Sequence, residues 1–85
     1  MNHDLPIIDE VERLKTQKRY TEARVLIEGA ISRYPQRYEL YEELADIYLF
    51  EENLEKAEEV IAYARTLHPE SGTGIYLEGY IAVVK

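Results

Sequence analysis

Slid along itself by 34 residues, this sequence sets Ala23 on Ala57, Ile27 on Ile61, Ala30 on Ala64 and Pro35 on Pro69. Within each set the first three residues follow the spacing i, i+4, i+7, which is one face of a helix. The proline stands where that helix has to stop. Self-similarity at this period means a supersecondary unit that is copied and stacked, because one unit cannot bury its apolar face alone. For a chain of 85 residues, near the lower limit for a self-sufficient core, that narrows the choice of folds more than composition does.

Helical periodicity recurs in five segments separated by short breaks. Leu5 to about Gln17 begins with Pro6, suited to a first turn, and with Asp9 and Glu10, which favour the N-terminal dipole; Ile7, Val11 and Leu14 share a face. Tyr20 to Arg33 is the second segment, stopped by Pro35, which also pushes Tyr34 out of helical geometry. In YELYEELADIYLF, Tyr38 to Phe50, an apolar face of Tyr41, Leu44, Ala45 and Tyr48 is widened by Leu40 and Ile47. Glu39, Glu42 and Asp46 trace a separate acidic line on the same helix. Asn53 is the expected N-cap of Leu54 to about Leu67, which Pro69 closes. A fifth helix is expected from roughly Thr73 to Val84, its start frayed by Gly72 and Gly74. No strand pattern competes, so the expected fold class is all-α in a single domain.

The central segment reads Tyr41-x2-Leu44-Ala45-x2-Tyr48-x8-Ala57-x3-Ile61-x2-Ala64-x4-Pro69. It resembles the tetratricopeptide repeat (TPR), a 34-residue helix–turn–helix unit with the pattern W-x2-L-G-x2-Y…A-x3-F…P. Tyr41 takes the Trp site, Ala45 the Gly site and Ile61 the Phe site. The alanines let two helices approach closely, and Tyr41, Leu44 and Tyr48 fill the space around that contact. The first repeat matches through Ala23, Ile27, Ala30 and Pro35 but has Glu10 where Leu is expected. The third begins Ile75, Glu78, Gly79, Ala82, again with Glu for Leu, and the sequence stops before a second helix. The resemblance implies a right-handed solenoid of five antiparallel helices, with repeats at about 4–37 and 38–71 and a half repeat at about 72–85.

It further implies a concave face made by the first helix of each pair, the surface on which the family usually binds peptides. That face would present Leu5, Ile8, Glu12, Lys15 and Thr16, then Glu39, Glu42, Asp46, Leu49 and Phe50, then Thr73, Tyr76, Tyr80 and Val83. Glu12, Lys15, Glu39, Glu42, Asp46, Phe50, Tyr76 and Tyr80 are the residues expected to contact a partner there. One subgroup of the family clamps a C-terminal carboxylate with Lys, Asn and Arg. The matching sites here hold Ile8, Glu12, Glu42 and Asp46, so that clamp is not expected.

Seventeen acids against ten bases give a net charge of −7, which disfavours nucleic acid and fits either a solvated surface or a basic partner. Glu42 and Asp46 share a helix face and raise the possibility of a cation site or an acid–base pair; catalysis would also need a cleft and a second group across it. There is no cysteine, and His3 and His68 lack a second ligand one helical turn away, so no metal, cofactor or catalytic residue is expected. The N-terminal MNHDLPIIDEVERL has acids where a secretion signal needs bases. No apolar run is long enough to cross a membrane, and a cytoplasmic location is expected.

The segment IYLEGYIAVV, Ile75 to Val84, is apolar in eight of ten positions, whereas such arrays usually finish on a helix with a polar outer side. Three explanations stay open. The chain is a piece of a longer array, or it self-associates through Tyr76, Leu77, Tyr80, Ile81 and Val84, or a partner supplies the missing helix. The function expected is therefore a non-catalytic protein–protein interaction module, binding a peptide or protein on an acidic face edged with aromatic rings. The alternative is a small homo-oligomerising scaffold.

Overall fold

The computed structural model describes residues 6–85, with side-chain surroundings from residue 7; Leu5 and His3 lie outside the described residues. Five helices follow one another: α1 (Pro6–Thr16), α2 (Tyr20–Arg33), α3 (Tyr38–Phe50), α4 (Leu54–Leu67) and α5 (Gly72–Val84). No strand occurs among the described residues.

The turns repeat as faithfully as the helices. After α1, Lys18 takes a left-handed backbone conformation (φ 63°), its N–H donates to the Lys15 carbonyl at 2.9 Å, and the Arg19 N–H donates to the Leu14 carbonyl at 2.9 Å. After α3, 34 residues on, Glu52 (φ 62°) donates to Leu49 at 3.0 Å and Asn53 to Tyr48 at 2.8 Å. Both are Schellman closures, which return the chain sharply and satisfy the last carbonyls of the helix. The turns into α3 and α5 also correspond. Tyr34 and His68 donate back to Ala30 and Ala64, and Arg37 and Ser71 donate to Tyr34 and His68. The Asn53 side chain caps α4 by accepting from the Lys56 N–H at 3.3 Å. Ser71 does the same for α5 through the Gly74 N–H at 3.4 Å, so this helix begins at Gly72 and the expected fraying is replaced by a capped start.

Packing follows from the small residues. Ala23, Ala45 and Ala57 have no exposed surface, and Ala30 and Ala64 have 1 %. Around them lie two adjoining cores. One joins α1, α2 and α3 through Val11, Leu14, Ile27, Leu40, Leu44 and Ile47. The other joins α3, α4 and α5 through Ala45, Ile61, Leu77 and Ile81, and Tyr48 and Val60 pack against both. Each helix packs on the next in sequence. In addition α1 touches α3 and α3 touches α5, while α2 and α4 do not meet. Two layers in which only the first-helix layer closes on itself must curve toward that layer, and this makes α1, α3 and α5 the inner face.

Candidate functional site

The seam between α3 and α5 is a groove on this inner face. A cavity of about 230 Å3 is lined by Asp46, Leu49 and Phe50 of α3 and by Tyr76, Leu77 and Tyr80 of α5. On each helix these residues are three or four apart, so one strip of each points into the same space. Leu49 and Leu77 supply the apolar floor. Tyr76 and Tyr80, one turn apart, stack with centroids at 6.4 Å and form one wall. Phe50 forms the opposite rim, half exposed, held by a near-parallel stack on Tyr20 at 5.2 Å.

Asp46 carries the charge of the groove, and its position is set from α1. The Lys15 ammonium donates to Asp46 Oδ2 at 2.7 Å and to Glu43 Oε1 at 3.1 Å, lies 3.1 Å from Glu12, and stands 6.0 Å from the centre of the Phe50 ring. Its side chain is only 7 % exposed. Burial acts to lower the lysine pKa, but the hydrogen bond to Asp46 and the charges of Glu43 and Asp46 outweigh it and hold the ammonium above the ordinary lysine range. Burial pushes the Glu43 carboxyl up to about 7 against the pull of Lys15, and the neighbouring Glu12 raises it further. Three carboxylates thus share one buried cation, and the whole cluster ties α1 to α3 beside the groove.

The expected groove residues divide accordingly. Asp46, Phe50, Tyr76 and Tyr80 line the cavity, and Lys15 with Glu12 stands behind Asp46. Glu39, in the first turn of α3, pairs with Arg37 at 3.5 Å. Glu42 departs from the expected open acidic line. It is buried, with one carboxylate oxygen 3.0 Å from the point where a Cβ on Gly74 would sit, because a residue without a side chain lets α5 settle directly over it. The expected interface changes as well. Leu77 and Ile81 are 4 % and 2 % exposed and belong to the core with Ala57, Ile61 and Ala64, so α5 uses them inside the chain. Tyr76, Tyr80 and Val84 remain exposed. Glu43 and Tyr20 escaped the sequence reading because their roles arise from contacts between repeats, which periodicity within one helix does not report.

Alanines fully buried at 34-residue intervals, paired turns of identical hydrogen bonding and a curved inner layer define a repeat of known kind. A profile of the tetratricopeptide repeat matches residues 14–71. The chain belongs to the tetratricopeptide repeat family. No curated protein and no solved structure matches it. TPR units as a class are protein–protein interaction modules and typically non-catalytic. Among the described residues no three His, Asp or Glu side chains converge as metal ligands, and no helix is long and apolar enough to cross a membrane.

Proposed function

We propose that this TPR chain binds a peptide in the α3–α5 groove, and that the peptide carries a basic side chain next to apolar ones. The observation that carries the reading is the make-up of the cavity: one carboxylate among two leucines and three aromatic rings. Lys15 occupies Oδ2 of Asp46, which leaves Oδ1 for a donor on the ligand. Asp46 is about one-third exposed, enough to be reached but sheltered enough for a charge-assisted hydrogen bond to count. Tyr76, 68 % exposed, and Phe50, 52 % exposed, offer apolar area that a bound chain would cover, the usual character of interface anchors.

Fluorescence anisotropy with two labelled peptide pools tests this. One pool holds arginine between leucines, and the other holds glutamate in its place. The arginine pool is expected to bind about tenfold more tightly, and Asp46→Asn and Tyr76→Ala each to weaken it about fivefold. Tyr76 is exposed enough for its removal to leave the fold intact. Equal affinity for the two pools, or full affinity in both variants, would overturn the reading.

A further inference from the structure

A second side of α5, away from the groove, is built like a helix-packing face but has no helix on it. Ile75, Gly79, Ala82 and Val83 are the repeat equivalents of Tyr41, Ala45, Tyr48 and Leu49 in α3. In α3 that face takes α4, and Ala45 is completely covered. In α5 Ile75 is 50 % and Val83 84 % exposed, and nothing lies within 4 Å of where a Cβ on Gly79 would stand. No helix among the described residues covers it.

The opposite end of the molecule offers a matching surface. Between α1 and α2 runs a groove of about 500 Å3 whose floor includes Leu26 and Val25, the latter 63 % exposed. Gly29 also lines it, and no atom lies within 4 Å of where its Cβ would be, so a helix can approach the backbone there. Its rim carries Arg13, Arg19 and Arg33. Arg13 and Arg19 are paired with Glu10 and Glu22, and Arg33 has no charged partner among the described residues.

Charge separates the two ends. Residues 1–37 hold seven bases and six acids, a net of +1, while residues 38–85 hold three bases and eleven acids, a net of −8. A symmetric contact of α5 on α5 would bring two strongly acidic halves together, whereas contact of one end on the other joins unlike fields. We propose that the chain self-associates head to tail, the open face of α5 in one copy seating in the arginine-rimmed α1–α2 groove of the next copy. Such a contact is heterologous and does not close on itself, so it gives chains of growing length instead of a fixed dimer.

Sedimentation velocity over a wide concentration range decides it. The wild type should grow steadily heavier with concentration, and high salt should reverse the growth. Val83→Asp blocks the α5 face, and Val25→Asp with Arg33→Glu blocks the groove. All three substitutions are at exposed positions, and circular dichroism confirms that helix content is kept. Each blocked protein alone should sediment as a monomer, and an equimolar mixture should give one discrete 1:1 dimer, formed by the surviving groove of one and the surviving α5 face of the other. A monomeric wild type, a groove-blocked protein that still dimerises, or a mixture that stays monomeric would each overturn the proposal.

Discussion

The α1–α3 seam and the α3–α5 seam are built at the same repeat positions and filled with opposite chemistry. Lys15, Glu43 and Asp46 meet at the first, and 34 residues later Leu49, Leu77 and Tyr80 meet at the second. In the first, an ammonium draws carboxylates in from across the seam and closes it with hydrogen bonds of 2.7 and 3.1 Å. In the second, the leucines and the tyrosine have no such pull, and a cavity of about 230 Å3 remains. The repeat therefore dictates where side chains meet, and their chemistry decides whether the meeting place becomes a strut or a site. Asp46 belongs to both, since it ends the polar seam and begins the groove.

The strongest way to break the contrast is to take the cation out of the first seam. Lys15→Met would leave Glu43 and Asp46 without their counter-ion, and removing one partner of a buried cluster costs about 3 kcal/mol. Part of that is screened here because Glu43 and Asp46 side chains are 20 % and 35 % exposed. A loss of about 2 kcal/mol is expected in urea unfolding followed by circular dichroism. Transplanting the second seam with Lys15→Leu, Glu43→Leu and Asp46→Tyr together should recover most of it, since apolar replacement of a whole buried ion cluster is often neutral. A harmless Lys15→Met would mean that the cluster contributes nothing to holding α1 on α3.

The architecture was largely open to reading from residue order. Pro35, Pro69 and Asn53 mark ends that local chemistry alone enforces, and α2, α3 and α4 run between the residues expected. Asp46, Phe50, Tyr76 and Tyr80 were placed on the inner face by their position along the first helices, and they line one cavity. What escaped depends on neighbours distant in sequence. Glu42 lies on the same helical line as Asp46, yet α5 covers it because Gly74 has no side chain to hold that helix away. Glu43 sits off the acidic line, and only Lys15, 28 residues earlier, makes it part of the cluster. Leu77 and Ile81 belong to an evenly greasy segment in which no periodicity separates the core side from the open side.

A finer probe of the same contrast is its dependence on pH, because only the polar seam titrates. Glu43 rises from an ordinary value of 4.5 to about 7 in the fold. The native state then holds a proton more readily than the unfolded chain, so this group's contribution to stability falls as pH rises from about 4.5 to about 7. Lys15 works in the opposite range. Its stabilisation is complete below its unfolded value of 10.5 and is lost only at more alkaline pH, so it adds no slope near neutrality. Glu43→Gln mimics the protonated form at every pH. It should match the wild type near pH 5 and exceed it by about 1 kcal/mol near pH 8, after discounting for partial exposure. Parallel stability curves for the two proteins would show that Glu43 is not buried beside Lys15 as described.

The smallest expected effect tests whether the two seams share one backbone, which the whole contrast assumes. Lys18 and Glu52 hold equivalent left-handed positions, with φ of 63° and 62°, in the turns that follow α1 and α3. A side chain there is strained by about 1 kcal/mol, which glycine relieves while adding freedom to the unfolded chain. Lys18→Gly and Glu52→Gly should therefore each stabilise by about 0.5 kcal/mol, and the double variant by about 1 kcal/mol. In a domain of this size that is a melting-temperature rise of about 2 to 4 °C for each substitution. The two gains should be equal and additive, since the turns lie at different junctions but make the same pair of hydrogen bonds. If one glycine stabilised and the other did not, the turns would not be copies of one another. The difference between an ion-filled seam and an open groove would then owe as much to backbone as to side chains.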